Sequence, residues 1–64
     1  MFVIKFKDGS YYNGFNGWDS QIRNAKIYVS LKKCRESADY VTEKLKKDGY
    51  NIVRIILAEA EVVV

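Results

Sequence analysis

Histidine and proline are missing from this 64-residue sequence, cysteine and methionine occur once each, and glycine occurs only four times. Each shortage removes something. Without His there is no imidazole for general acid–base work near neutral pH, and with a single Cys there is no thiolate or imidazole cluster for zinc, haem or an iron–sulfur centre. Cys34 by itself forms no internal disulfide. No cofactor, no metal and no catalytic activity are therefore expected. The scarcity of Pro and Gly, beside 48% hydrophobic and 30% charged residues, fits an ordered, folded chain rather than a disordered one. Long apolar runs are lacking too. Lys5 and Lys7 interrupt the N-terminal run, and Arg54, Glu59 and Glu61 the C-terminal one, so neither a targeting segment nor a membrane association is expected, and a cytoplasmic location is the simplest reading.

Sixty-four residues make room for one core and a single domain, residues 1–64. A domain of about this size buries only about 60% of the surface its unfolded chain exposes, so without disulfide or metal it must rely on good packing, an oligomer or a partner. The net charge of +3 is unevenly placed. Lys5, Lys7, Arg23, Lys26, Lys32, Lys33 and Arg35 face only Asp8 and Asp19 in the first 35 residues, whereas the remainder is mildly acidic.

Phe2, Ile4 and Phe6 alternate with Val3, Lys5 and Lys7, the period of two of a strand with one buried and one wet face. Asp8-Gly9 supplies a tight turn and Tyr11-Tyr12 resumes strand-type residues, so Phe2 to Phe15 reads as a β-hairpin. Asn13-Gly14 and Asn16-Gly17 are further turn signals that leave Phe15 and Trp18 on a Gly-punctuated loop. Asp19 to Asn24 has room for one helical turn, and Ala25 to Val29 reads as a third strand. Ser30 is a predicted helix N-cap. Behind it Leu31, Cys34, Ala38, Val41 and Leu45 fall on one helical face, with Gly49 expected as the left-handed C-cap and Lys46 and Lys47 as solvated charges at the negative end of the dipole. Ile52 to Val64 favours a strand throughout. Thirteen residues at roughly 3.3 Å each would span about 43 Å, too long for a domain of this mass, so the strand must break, bend or reach beyond the domain. In that last case its edge could pair with a second copy, giving a homodimer through Ile52 to Val64. The expected fold is α+β: a small antiparallel β-sheet with one helix packed on it, in the order β-β-β-α-β.

Three kinds of site are open to this pattern. For catalysis, Cys34 sits in the apolar stripe and reads as a core thiol, Glu59 and Glu61 read as a solvated strand end, and the Gly-containing turns lack the spacing of a phosphate loop. For nucleic acid, Lys32, Lys33 and Arg35 crowd the first helical turn, where the dipole already favours anions, and Lys5 and Lys7 with Tyr11, Tyr12, Phe15 and Trp18 supply a basic and aromatic mixture. A solvated helix face, with Lys32 paired to Glu36 and Arg35 to Asp39, explains the same charges. For a protein partner, Phe15 and Trp18 are candidate anchors, although Trp18 could equally fold back and cap the small core. The partner-binding set is thus Tyr12, Phe15, Trp18, Lys32, Lys33 and Arg35.

The succession Phe2-Val-Ile-Lys-Phe, Asp8-Gly-Ser-Tyr-Tyr, Gly17-Trp18, Ala25-Lys-Ile-Tyr-Val-Ser and Leu31-Lys-Lys-Cys resembles the short orphan proteins encoded by phages and prophages of Gram-positive bacteria. The resemblance implies a non-enzymatic inhibitor acting in the host cytoplasm by binding a host protein, such as a CRISPR effector nuclease, in the manner of anti-CRISPR proteins. Many such inhibitors are acidic DNA mimics, whereas this chain is basic, so blocking a protein surface, one that handles nucleic acid included, is the expected mode. A small basic nucleic-acid-binding protein and a self-assembling structural subunit are the alternatives.

Overall fold

The computed structural model describes residues 1–56 and 61–64. It is an α+β domain: a five-stranded antiparallel sheet carries one helix, and the strands run in the order β3-β2-β1-β4-β5. The strands are β1 (Phe2–Phe6), β2 (Tyr11–Tyr12), β3 (Trp18–Asp19), β4 (Tyr50–Ile55) and β5 (Glu61–Val63), and helix α1 spans Leu31–Lys44. β1 lies at the centre because it is the most apolar strand on both faces, with Val3 and Ile4 fully buried and Phe6 2% exposed. It pairs with β4 from Phe2 opposite Arg54 to Phe6 opposite Tyr50.

The first hairpin forms as its turn chemistry requires. Gly9 takes φ 92°, and the Asp8 carboxylate closes the turn by accepting from the Ser10 backbone N–H at 2.9 Å and its hydroxyl at 2.5 Å. The Ser30 hydroxyl caps α1 by accepting from Lys33 N–H. Cys34, Ala38 and Val41 are buried against Ile4, Phe6, Tyr12 and Ile52, with Leu31 and Leu45 packed at the ends of the stripe. The small Cys34 and Ala38 at mid-helix let α1 sit close to the sheet. Tyr28 shares a hydrogen bond with Ser37 and Tyr50 donates one to Asp39, each at 2.6 Å, tying the helix to the chain around it.

Three expectations change. The third strand is Trp18–Asp19 rather than Ala25–Val29, of which only Tyr28 bridges, through two 2.8 Å hydrogen bonds with Phe2. β2 occupies the edge of β1 nearer the turn, so little edge is left for the second segment. Gly49 does not cap the helix. Lys46 takes the left-handed conformation at φ 56°, and the Lys46 N–H to Glu43 carbonyl and Lys47 N–H to Thr42 carbonyl bonds form a Schellman motif. The sheet is covered on both faces: Ile22 and Ala25, around the 3-10 turn Ile22–Asn24, pack on Val3, Tyr11 and Val53. The run from Ile52 to Val64 breaks, one of the three outcomes its length allowed, into β4 and β5, paired antiparallel. A 43 Å strand could not fit a domain whose longest axis is 29 Å. The part of that run over residues 57–60, Glu59 included, lies outside the described residues.

Candidate partner-binding surface

The β2–β3 connection is a tight loop held by its own side chains. Asn13 Oδ1 accepts from the Phe15 N–H at 2.8 Å, and the Asn13 N–H donates to the Gly17 carbonyl at 3.2 Å. Gly14 at φ 88° and Asn16 at φ 57° supply the left-handed turns. Gly14 is required twice over, since a Cβ there would also stand 3.1 Å from the Lys26 side chain. With the backbone so pinned, Phe15 projects from the tip, 87% exposed.

Trp18 follows on β3, opposite Tyr12. It is neither a free anchor nor a core residue: about half of it is exposed, while Lys47 Nζ lies 3.7 Å from its ring centroid. The same ammonium is 2.6 Å from Asp8 Oδ2 and 5.4 Å from the Phe6 ring centroid. Lys47 is thus not the solvated charge its place in the sequence implied. The Schellman turn carries its backbone back over the sheet, and its methylenes and charge cover the aromatic edge. Lys47 holds the Asp8 carboxyl well below the usual carboxylate range, helped by the Ser10 hydroxyl and N–H. Between Trp18, Phe6, the Lys7-Asp8 turn and Leu45 to Asp48 lies an open groove of about 320 Å³.

The six residues expected to bind a partner do not form one surface. Tyr12 is only 7% exposed and belongs to the core beneath α1, so a partner cannot reach it. Phe15 and Trp18 share the β2–β3 hairpin. Lys32, Lys33 and Arg35 are exposed on the first turn of α1, whereas Trp18 meets Lys47, beyond the last turn of the 14-residue helix. At about 1.5 Å rise per residue the Lys47 end of the helix, where Trp18 sits, is roughly 20 Å from that basic turn. Among the described residues the ion pairs are Lys5–Glu61 and Lys47–Asp8. The expected Lys32–Glu36 and Arg35–Asp39 pairs do not form.

Two other groups of chemical interest are structural. Cys34 is fully buried, and burial pushes its thiol up to about 11, away from the thiolate a nucleophile needs. Glu61 is not simply a solvated strand end. The Tyr11 hydroxyl donates to Glu61 Oε1 and Lys5 Nζ lies 3.3 Å from Oε2, a clamp from β1 and β2 across β4 to β5. These contacts, the Tyr11 bond first, lower the Glu61 carboxyl below its ordinary value, while burial and then the Glu61 bond raise the Tyr11 hydroxyl. Among the described residues no helix is long and apolar enough to cross a membrane. No protein-family model matches the chain, and no curated protein and no solved structure matches it.

Proposed function

We propose that this chain is a non-catalytic binding domain that engages a protein partner through the β2–β3 loop, with Phe15 as the anchor and Trp18 beside it. The observation that carries the reading is the 87% exposure of Phe15 on a loop already fixed by hydrogen bonds and two left-handed residues. A large apolar side chain held rigidly in water contributes nothing to the monomer, yet burying it in a partner's pocket is worth about 1.5–3 kcal/mol with little ordering penalty. The unpaired edge of β3 next to it offers main-chain hydrogen bonds to the same partner. The sequence resemblance to phage and prophage proteins makes a host-defence protein, such as a CRISPR effector nuclease, the partner class to assay first.

A second reading, direct nucleic-acid binding, is favoured by one observation: Lys32, Lys33 and Arg35 lie without ion-pair partners among the described residues, at the positive end of α1. Binding to purified effector nucleases and to DNA and RNA over a salt series separates the two. The proposal expects Phe15→Ala to weaken protein binding at least about tenfold with no change in folding, and a Lys32/Lys33/Arg35 charge reversal to leave it intact. Tight nucleic-acid binding that falls steeply with salt and vanishes on the charge reversal replaces it with the second reading.

A further inference from the structure

We infer that β5 is a self-pairing edge, joining two copies of the chain about a two-fold axis through Val62 into one ten-stranded antiparallel sheet. β5 is the last strand of the sheet order, and Glu61, Val62 and Val63 are all exposed. Among the described residues its one safeguard against pairing is its shortness, three residues. There is no Lys, Pro or bulge on it, and its one charge, Glu61, is drawn over the sheet by Lys5 and Tyr11.

The hydrogen-bond register identifies a second copy as the occupant. The Val64 N–H donates to the Ile52 carbonyl at 2.8 Å, so Ile52 and Val64 form a hydrogen-bonded pair. In an antiparallel ladder such pairs alternate. Arg54 opposite Val62 is therefore the next hydrogen-bonded pair, while Val53 opposite Val63 and Ile55 opposite Glu61 are not. Val62 and Val64 direct their backbone groups inward to β4, and Glu61 and Val63 direct theirs outward. The outward set is its own complement. With Val62 on the axis, Glu61 of one copy meets Val63 of the other, which forms four backbone hydrogen bonds and brings the two Val62 side chains together on the helix side of the sheet. Glu61 then faces a valine instead of a like charge. The two Arg54 residues, three strand spacings apart at roughly 14 Å, lie beyond the Debye length at physiological salt.

Three residues per strand, with Val64 and Ile56 alongside, fall short of the ~1,200 Å² of standard interfaces, so the dimer is expected to be weak, with a Kd between about 10 µM and 1 mM. The β3 edges lie at the two far ends of the joined sheet. The dimer stands independently of the proposed function and, if that also holds, presents two Phe15 loops.

Sedimentation equilibrium of the full chain from about 10 µM to 2 mM, with amide hydrogen exchange at both ends of the range, tests it. Reversible dimerisation is expected, with the Glu61 and Val63 amides gaining protection as concentration rises while those of Val62 and Val64 are protected throughout. Val63→Pro removes an outward N–H only, which an edge strand tolerates, and should abolish the dimer while leaving the monomer's circular dichroism unchanged. Val62→Lys, placing two ammonium groups across the axis, should weaken it at least about tenfold. A chain that stays monomeric at about 2 mM, or a dimer in which the Glu61 and Val63 amides gain no protection, overturns the inference.

Discussion

Replacing Lys46 by glycine should stabilise the protein, although no contact is gained. Lys46 closes the Schellman turn at φ 56°, a conformation that costs an L-residue roughly 1–2 kcal/mol and glycine almost nothing. Glycine gives back about 0.4–1 kcal/mol through the greater freedom of the unfolded chain. The substitution also removes a cation from the helix C-terminus, worth about 0.3–1 kcal/mol at low salt. Lys46→Gln loses that charge but keeps the Cβ, so the comparison of Gly with Gln isolates the backbone. The expected difference is about 0.5–1 kcal/mol in favour of Gly, a rise of about 2–8 °C in Tm for a domain of this size. It should be visible in thermal melts followed by circular dichroism, in salt high enough to screen the dipole term. Gly49→Ala is the companion variant. Gly49 lies outside the left-handed region, and a Cβ there would come 2.8 Å from Lys7 Cε, the far part of a flexible side chain that can move. Its effect should be within about 0.5 kcal/mol. If Lys46→Gly melts no higher than Lys46→Gln, and Gly49→Ala loses more than about 1 kcal/mol, the helix ends at Gly49 as its sequence suggested and the Schellman assignment is wrong.

Two further outcomes follow from buried or partnered groups. The Cys34 thiol, buried and pushed up to about 11, should react with an aromatic disulfide reagent at pH 8 only after denaturant unfolds the chain; rapid reaction of the native protein would contradict the packing of α1 on the sheet. Glu61, with its folded-state value held below the ordinary 4.5, contributes stability that is present above that pH and lost as pH falls through the lowered value. Melting temperatures should therefore decline below about pH 4.5, and Glu61→Gln should lower Tm at pH 7 while flattening that decline. An unchanged acid limb would show that the clamp to Tyr11 and Lys5 adds nothing to stability.

Local chemistry was legible in the sequence. The Asp8-Gly9 turn, the alternation in β1, the Ser30 cap and the stripe from Leu31 to Leu45 all rest on interactions within a few residues, and each formed as its pattern implied. Phe15, bracketed by Asn13-Gly14 and Asn16-Gly17, was legible as a projecting aromatic for the same reason. Lys47 as the cover of Trp18 was not, because that contact depends on where the Schellman turn sends the chain and on β3 lying beside the end of α1. No spacing along the chain encodes it.

By itself, then, the sequence determined the class of fold, the helix and its buried face, and the first hairpin, since residue type and short-range periodicity are enough for these. Only the tertiary structure decided which strand-forming segments found a partner, and that is a matter of available edge rather than propensity. Trp18–Asp19 paired because β2 lay open to it. Ala25 to Val29, with better strand formers, kept one bridge because β2 already held most of that side of β1. The C-terminal run became two paired strands for a different reason, since a strand of about 43 Å exceeds the 29 Å length of the domain. The tertiary structure also put Trp18 at the far end of α1 from its basic turn, because the helix is a rod whose length is set by its rise per residue.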